Sequence, residues 1–97
     1  MPGKEQRRDG VVAAVHACLA AAKTLTGEGK YDEAEKLYLK ALDQAEDCDG
    51  EFSILVCLVL LDLFHLYQEQ GRVEESQPIW EKIRKILTGL HEKHFES

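Results

Sequence analysis

The chain has 97 residues, 44% of them apolar and 31% charged, and 18 carboxylates against 12 Lys and Arg leave a net charge of −6. That length supports one modest core and excludes a two-domain enzyme with a cleft between its domains. The acidic balance works against nucleic acid, whose binding needs clustered positive charge to displace counterions, and against an anionic membrane surface.

Residues 1–10 hold Pro2, Gly3 and Gly10 among charges, with no apolar residue after Met1, and read as a flexible leader. A first helix is expected from Val11 to Leu25, where Val12, Val15, Leu19 and Ala22 recur at steps of three and four and Asp9 is available as N-cap. Thr26 to Lys30, with Gly27 and Gly29, breaks it. The second helix begins at Tyr31 and gathers Tyr31, Ala34, Leu37, Tyr38, Ala41, Leu42 and Ala45 on one face, with Asp32, Glu33 and Glu35 near the favourable end of its dipole. Cys48 to Glu51, containing Gly50, ends it. The third helix should cover about Phe52 to Gln70. Between Phe52 and Tyr67 only Ser53, Asp62 and His65 are not apolar, so this helix is apolar around its whole circumference. Gly71 stops it, and a fourth runs from Val73 to at least Leu87. No hairpin signal joins alternating strands, so the fold class is all-α.

Sliding the sequence by 42 residues superimposes GKYDEAEKLYLKAL (29–42) on GRVEESQPIWEKIR (71–84). Gly29 meets Gly71, Tyr31 meets Val73, Ala34 meets Ser76, Tyr38 meets Trp80 and Ala41 meets Ile83. Breakers, apolar face and acidic first turn coincide in one register, which describes two copies of a helix-turn-helix unit. Glycine suits the residue closing each first helix; Ala34 and Ser76 are small where two helices cross closely; Tyr38 and Trp80 fill the wider space one turn on. Units of this kind cannot bury their faces alone and must stack.

These residues resemble tetratricopeptide repeats, in the 42-residue form similar to that of kinesin light chains. The pattern is carried by Gly29, Tyr31, Ala34, Tyr38 and Ala41, and again by Gly71, Val73, Ser76, Trp80 and Ile83, with Leu60, Leu63, Phe64 and Tyr67 in apolar slots of the preceding helix. The resemblance implies two antiparallel helix pairs in a short right-handed solenoid: a first repeat at 11–50, a second at 51–90 and a C-terminal tail at 91–97. It also implies a groove lined by first helices. The groove face gathers His16, Leu19, Ala20 and Lys23 with Leu58, Leu61, Asp62, His65 and Glu69. Of these, Leu19, Lys23, Leu58, Leu61, Asp62 and His65 are the candidate protein-binding residues. The chain has no Asn, so the cargo recognition of the light chains does not carry over. Of the positions that clamp a chaperone's C-terminal carboxylate in some repeats, held here by Leu19, Lys23 and Asp62, only Lys23 fits.

Plainer readings stand beside these. Lys23 and Asp62 can form an ordinary solvated pair, worth under ~1 kcal/mol. His91 and His94 sit in HEKH, which lacks the spacing of HExxH, so a metal site is not expected. Cys18, Cys48 and Cys57 form no CxxC, and neither a disulfide framework nor a zinc ribbon is indicated. No catalytic constellation or cofactor motif emerges. The N-terminus has no apolar segment behind its charges, and the longest apolar run, Ile54 to Leu61, is far short of the ~20 residues that cross a membrane. The expectation is a non-enzymatic cytoplasmic interaction module for a protein or peptide. The alternative is a homodimer through helix three or the C-terminal helix, whose Ile79, Ile83, Ile86, Leu87 and Leu90 exceed what one neighbour needs.

Overall fold

Two glycine turns set the path of the chain, and they are closed by the same hydrogen bonds. At the first, Gly29 adopts φ of 80°, the Lys30 N–H bonds the Leu25 carbonyl at 2.8 Å and the Gly29 N–H bonds that of Thr26. At the second, Gly71 adopts φ of 73°, the Arg72 N–H bonds the Tyr67 carbonyl at 2.8 Å and the Gly71 N–H bonds that of Gln68. Both satisfy helix-end carbonyls through a left-handed residue that only glycine adopts without strain. The register found in the sequence therefore pairs turns of identical construction.

The computed structural model describes residues 4–50 and 53–96. They form four helices, α1 (Lys4–Gly27), α2 (Tyr31–Asp49), α3 (Ile54–Glu69) and α4 (Val73–Glu96), with no strand among the described residues. The fold is all-α. α1 packs on α2, α2 on α3 and α3 on α4, with a smaller contact between α1 and α3. The whole is a slab of 41 × 35 × 16 Å.

α1 begins at Lys4, earlier than the expected Val11, and Asp9 lies inside it rather than at its N-cap. The physical reason is tertiary. The Arg8 guanidinium donates from Nε and Nη2 to both carboxylate oxygens of Asp49, at 3.0 and 2.9 Å, and so ties the first turns of α1 to the last turn of α2. Gly10 within the helix costs roughly 1 kcal/mol against alanine, and the contact works against that cost. α3 begins at Ile54, capped by the Ser53 hydroxyl, which accepts from the Val56 N–H at 3.1 Å. The expected start at Phe52 and the first three residues of the leader lie outside the described residues. α4 continues through the expected tail to Glu96; the side chains of Leu90, His91 and His94 are likewise outside the description.

The core is centred on α3. Leu55, Val56, Val59, Leu60, Leu63 and Leu66 are buried on it, against Val15, Leu19 and Ala22 of α1, Tyr38, Ala41 and Ala45 of α2, and Ile83 and Ile86 of α4. Its all-round apolarity is thus largely used: a helix touching three others needs an apolar surface well beyond a single stripe.

Candidate protein-binding face

α3 nevertheless has a side that no helix covers among the described residues. Ile54 is 63% and Leu58 41% exposed, Leu61 is half-buried and His65 exposed; at spacings of four, three and four they form one ridge along the helix. Beside it a cleft of about 390 Å³ opens between α1 and α3, lined by Lys23, Thr26, Tyr38, Asp62, His65 and Glu69. Lys23 Nζ stands 3.7 Å from Asp62 Oδ2 across this cleft, with the lysine well exposed and the aspartate half-buried. Tyr38, buried at the cleft floor, has its phenol pushed up by burial and by the Asp62 charge. The arrangement offers an apolar ridge with one cation, two carboxylates and an imidazole along its margin. Such a surface can orient an amphipathic segment.

The candidate residues divide as follows. Leu58, Leu61 and His65 share the exposed ridge, and Lys23 and Asp62 meet across the cleft. Leu19 does not join them. It is buried, because its angular position on α1 lies beside Val15 and Ala22 and points into the core. Of the packing residues, Ala34, Tyr38, Ala41, Leu60, Tyr67, Ser76 and Ile83 are buried, and Tyr31 and Phe64 are half-buried. Trp80 instead stays 46% exposed, resting one side of its indole on Phe64 with ring centroids 5.6 Å apart. A larger hollow of about 590 Å³ lies away from the ridge, between α1 and α2, lined by Arg8, Val11, Ala14, Gln44, Asp47 and Cys48. None of the candidate residues borders it.

Sequence reasoning missed Arg72. Its Nη1 donates to Glu35 at 2.8 Å and to Gln70 at 2.9 Å, its Nε donates to Glu75 at 2.9 Å, and its guanidinium lies 4.4 Å above the centre of the Tyr67 ring. The Tyr67 hydroxyl completes the group by donating to Glu35 at 2.8 Å. Hydrogen bonding from Arg72, aided by Tyr67, holds the Glu35 carboxyl below its usual range, while burial pushes the Tyr67 phenol up to about 12. The cluster joins α2 to the turn before α4. A second tie is the Lys82–Glu46 pair at 3.2 Å. The only sequence signal was Arg72 directly after a turn glycine, which names no partner 37 positions away.

Cys57 is buried, with its thiol pushed up by burial; Cys18 and Cys48 are half-buried. Among the described residues no three His, Cys, Asp or Glu side chains cluster so as to hold a metal. The stretch Arg8–Gly27 of α1 is long and apolar enough, by length and composition alone, to cross a membrane. Its apolar residues are six alanines (Ala13, Ala14, Ala17, Ala20, Ala21 and Ala22) together with Val11, Val12, Val15, Cys18, Leu19 and Leu25. Comparison with protein-family models, curated proteins and solved structures finds no match to this chain. Its function is argued from its own surface.

Proposed function

We propose that the chain is a non-catalytic protein-interaction module of tetratricopeptide type, in which two helix-turn-helix units, 11–50 and 51–90, stack as antiparallel pairs in a short right-handed solenoid. The partner is an amphipathic helix or extended peptide, held in the cytoplasm along the ridge of Leu58 and Leu61, with Lys23, Asp62 and His65 setting its direction. The repeat reading is supported by the two glycine turns with matching hydrogen bonds. The binding reading rests on one observation: Ile54 and Leu58 stand exposed on the helix that otherwise forms the core. Burying a leucine is worth roughly 1.5–3 kcal/mol, so a partner covering this ridge gains several such contributions.

The test is a pull-down from the cells that make the protein, comparing wild type with a Leu58→Glu/Leu61→Glu variant whose helical content and melting are checked first. Loss of specific partners is expected. Full capture by the folded variant overturns the reading. A second reading, self-association as a structural module, is favoured by a different observation, the exposed Val73, Trp80 and Leu87 of α4.

A further inference from the structure

The face of α4 that stays uncovered has a covered counterpart inside the same molecule. In the 42-residue register Tyr38 corresponds to Trp80 and Ala45 to Leu87. Tyr38 and Ala45 are 3% and 0% exposed, whereas Trp80 and Leu87 are 46% and 53% exposed. The difference is α3, which packs on α2, whereas among the described residues no helix packs on α4 in the corresponding way. On α3, Leu55, Val59 and Leu63 are all buried, in one cluster with residues of α1 and α2. The same register places Ala13, Ala17 and Ala21 at those positions of α1, and all three are exposed.

Side-chain size is inverted between the two places. Inside the molecule, large residues of α3 meet a face that includes the small Ala22 and Ala45. At the ends, Leu87 is exposed and the large Phe64 half-buried, and the helix equivalent to α3 offers alanines. A bulky face and a small-residue face of matching register are complementary in volume, which is what close packing requires. Polar groups agree. The position of Arg72, which bonds Glu35 across the internal seam, is held in the first unit by the exposed Lys30, and that of Glu35 is held in the second by the exposed Gln77. Lys30 of one copy would thus stand opposite the neutral Gln77 of the next, where Arg72 stands opposite Glu35 inside the molecule.

We propose that the chain self-associates head to tail, α1 of one copy docking on the α3–α4 face of the next as α3 docks on α1 and α2. A heterologous contact of this kind leaves both outer faces free and extends into an array rather than closing as a dimer.

The test uses the full chain in sedimentation over the micromolar to millimolar range. The mass is expected to grow beyond a dimer, and the emission of Trp80, the one tryptophan, to shift to the blue as it does. Ala17→Glu and Trp80→Glu each spoil one face and should weaken association by about tenfold or more. Mixed in equal amounts, they should form a one-to-one heterodimer, since each retains the face the other lacks. Ala13→Lys and Leu87→Lys serve as a second pair if either first variant is unfolded by circular dichroism. A wild type that remains monomeric throughout overturns the proposal and leaves the face to a partner of different sequence. So does undiminished association of Ala17→Glu, which means a closed pair through α4. A mixture that stays monomeric, or association abolished by Leu58→Glu alone, overturns it too.

Discussion

Arg72 gathers Glu35, Glu75 and Gln70 around one guanidinium and lies on the Tyr67 ring, so a single side chain joins the second helix to the last turn of the molecule. Its contribution is pH-dependent through Glu35. Because Arg72 depresses the Glu35 pKa, the stabilisation is complete above the unfolded carboxylate value, about 4.3, and is lost as pH falls through the depressed value. Urea melts should show the advantage of wild type over Glu35→Gln at neutral pH shrinking below about pH 4. An advantage unchanged at low pH would mean that the ion pair carries nothing. Tyr67→Phe removes one hydrogen bond to a carboxylate without opening a cavity, and a loss of about 1–2 kcal/mol is expected in the same assay. Glycines divide by backbone angle. Gly29→Ala should cost about 1–2 kcal/mol at its φ of 80°. Gly10→Ala, at a helical position with nothing within 4 Å of the new methyl, should instead stabilise by about 0.5–1 kcal/mol.

At the scale of the element, α3 shows how one apolar sequence serves two purposes. Leu63 is fully buried, and Leu63→Ala should cost about 2–5 kcal/mol, the usual range for a core leucine reduced to a methyl. Ile54→Ala, on the same helix but 63% exposed, should change stability by less than about 0.5 kcal/mol. Calorimetric melts of the two variants separate core from surface. Near-equal losses would mean that the ridge is packed. The existence of the four helices was legible in the apolar spacing of α1 and α2, in the continuous apolar run of α3, in the 42-residue match that carries α4, and in Gly29 and Gly71. The ends were less so. The start of α1 depends on Arg8 meeting Asp49, a contact between residues 41 apart that no local pattern encodes.

At the scale of the whole molecule, a face of α4 with large side chains and a face of α1 with alanines both stand exposed among the described residues. If copies associate through them, thermal melting becomes concentration-dependent, and Ala17→Glu removes that dependence without changing the melt of the dilute protein. By itself the sequence determined the all-helical fold, the two matching turns and the surplus of apolar surface on the third helix. These follow from backbone chemistry and helical spacing, which act over a few residues. Which part of that surplus remains exposed was decided only in the tertiary structure. The angular position of Leu19 proved to be core while that of Leu58 stayed at the surface, and Trp80 kept half its indole in water where Tyr38 lost all but a trace. Burial is a property of what lies across from a residue, and for Tyr38 and Trp80, alike in sequence context, that differs by the presence of α3.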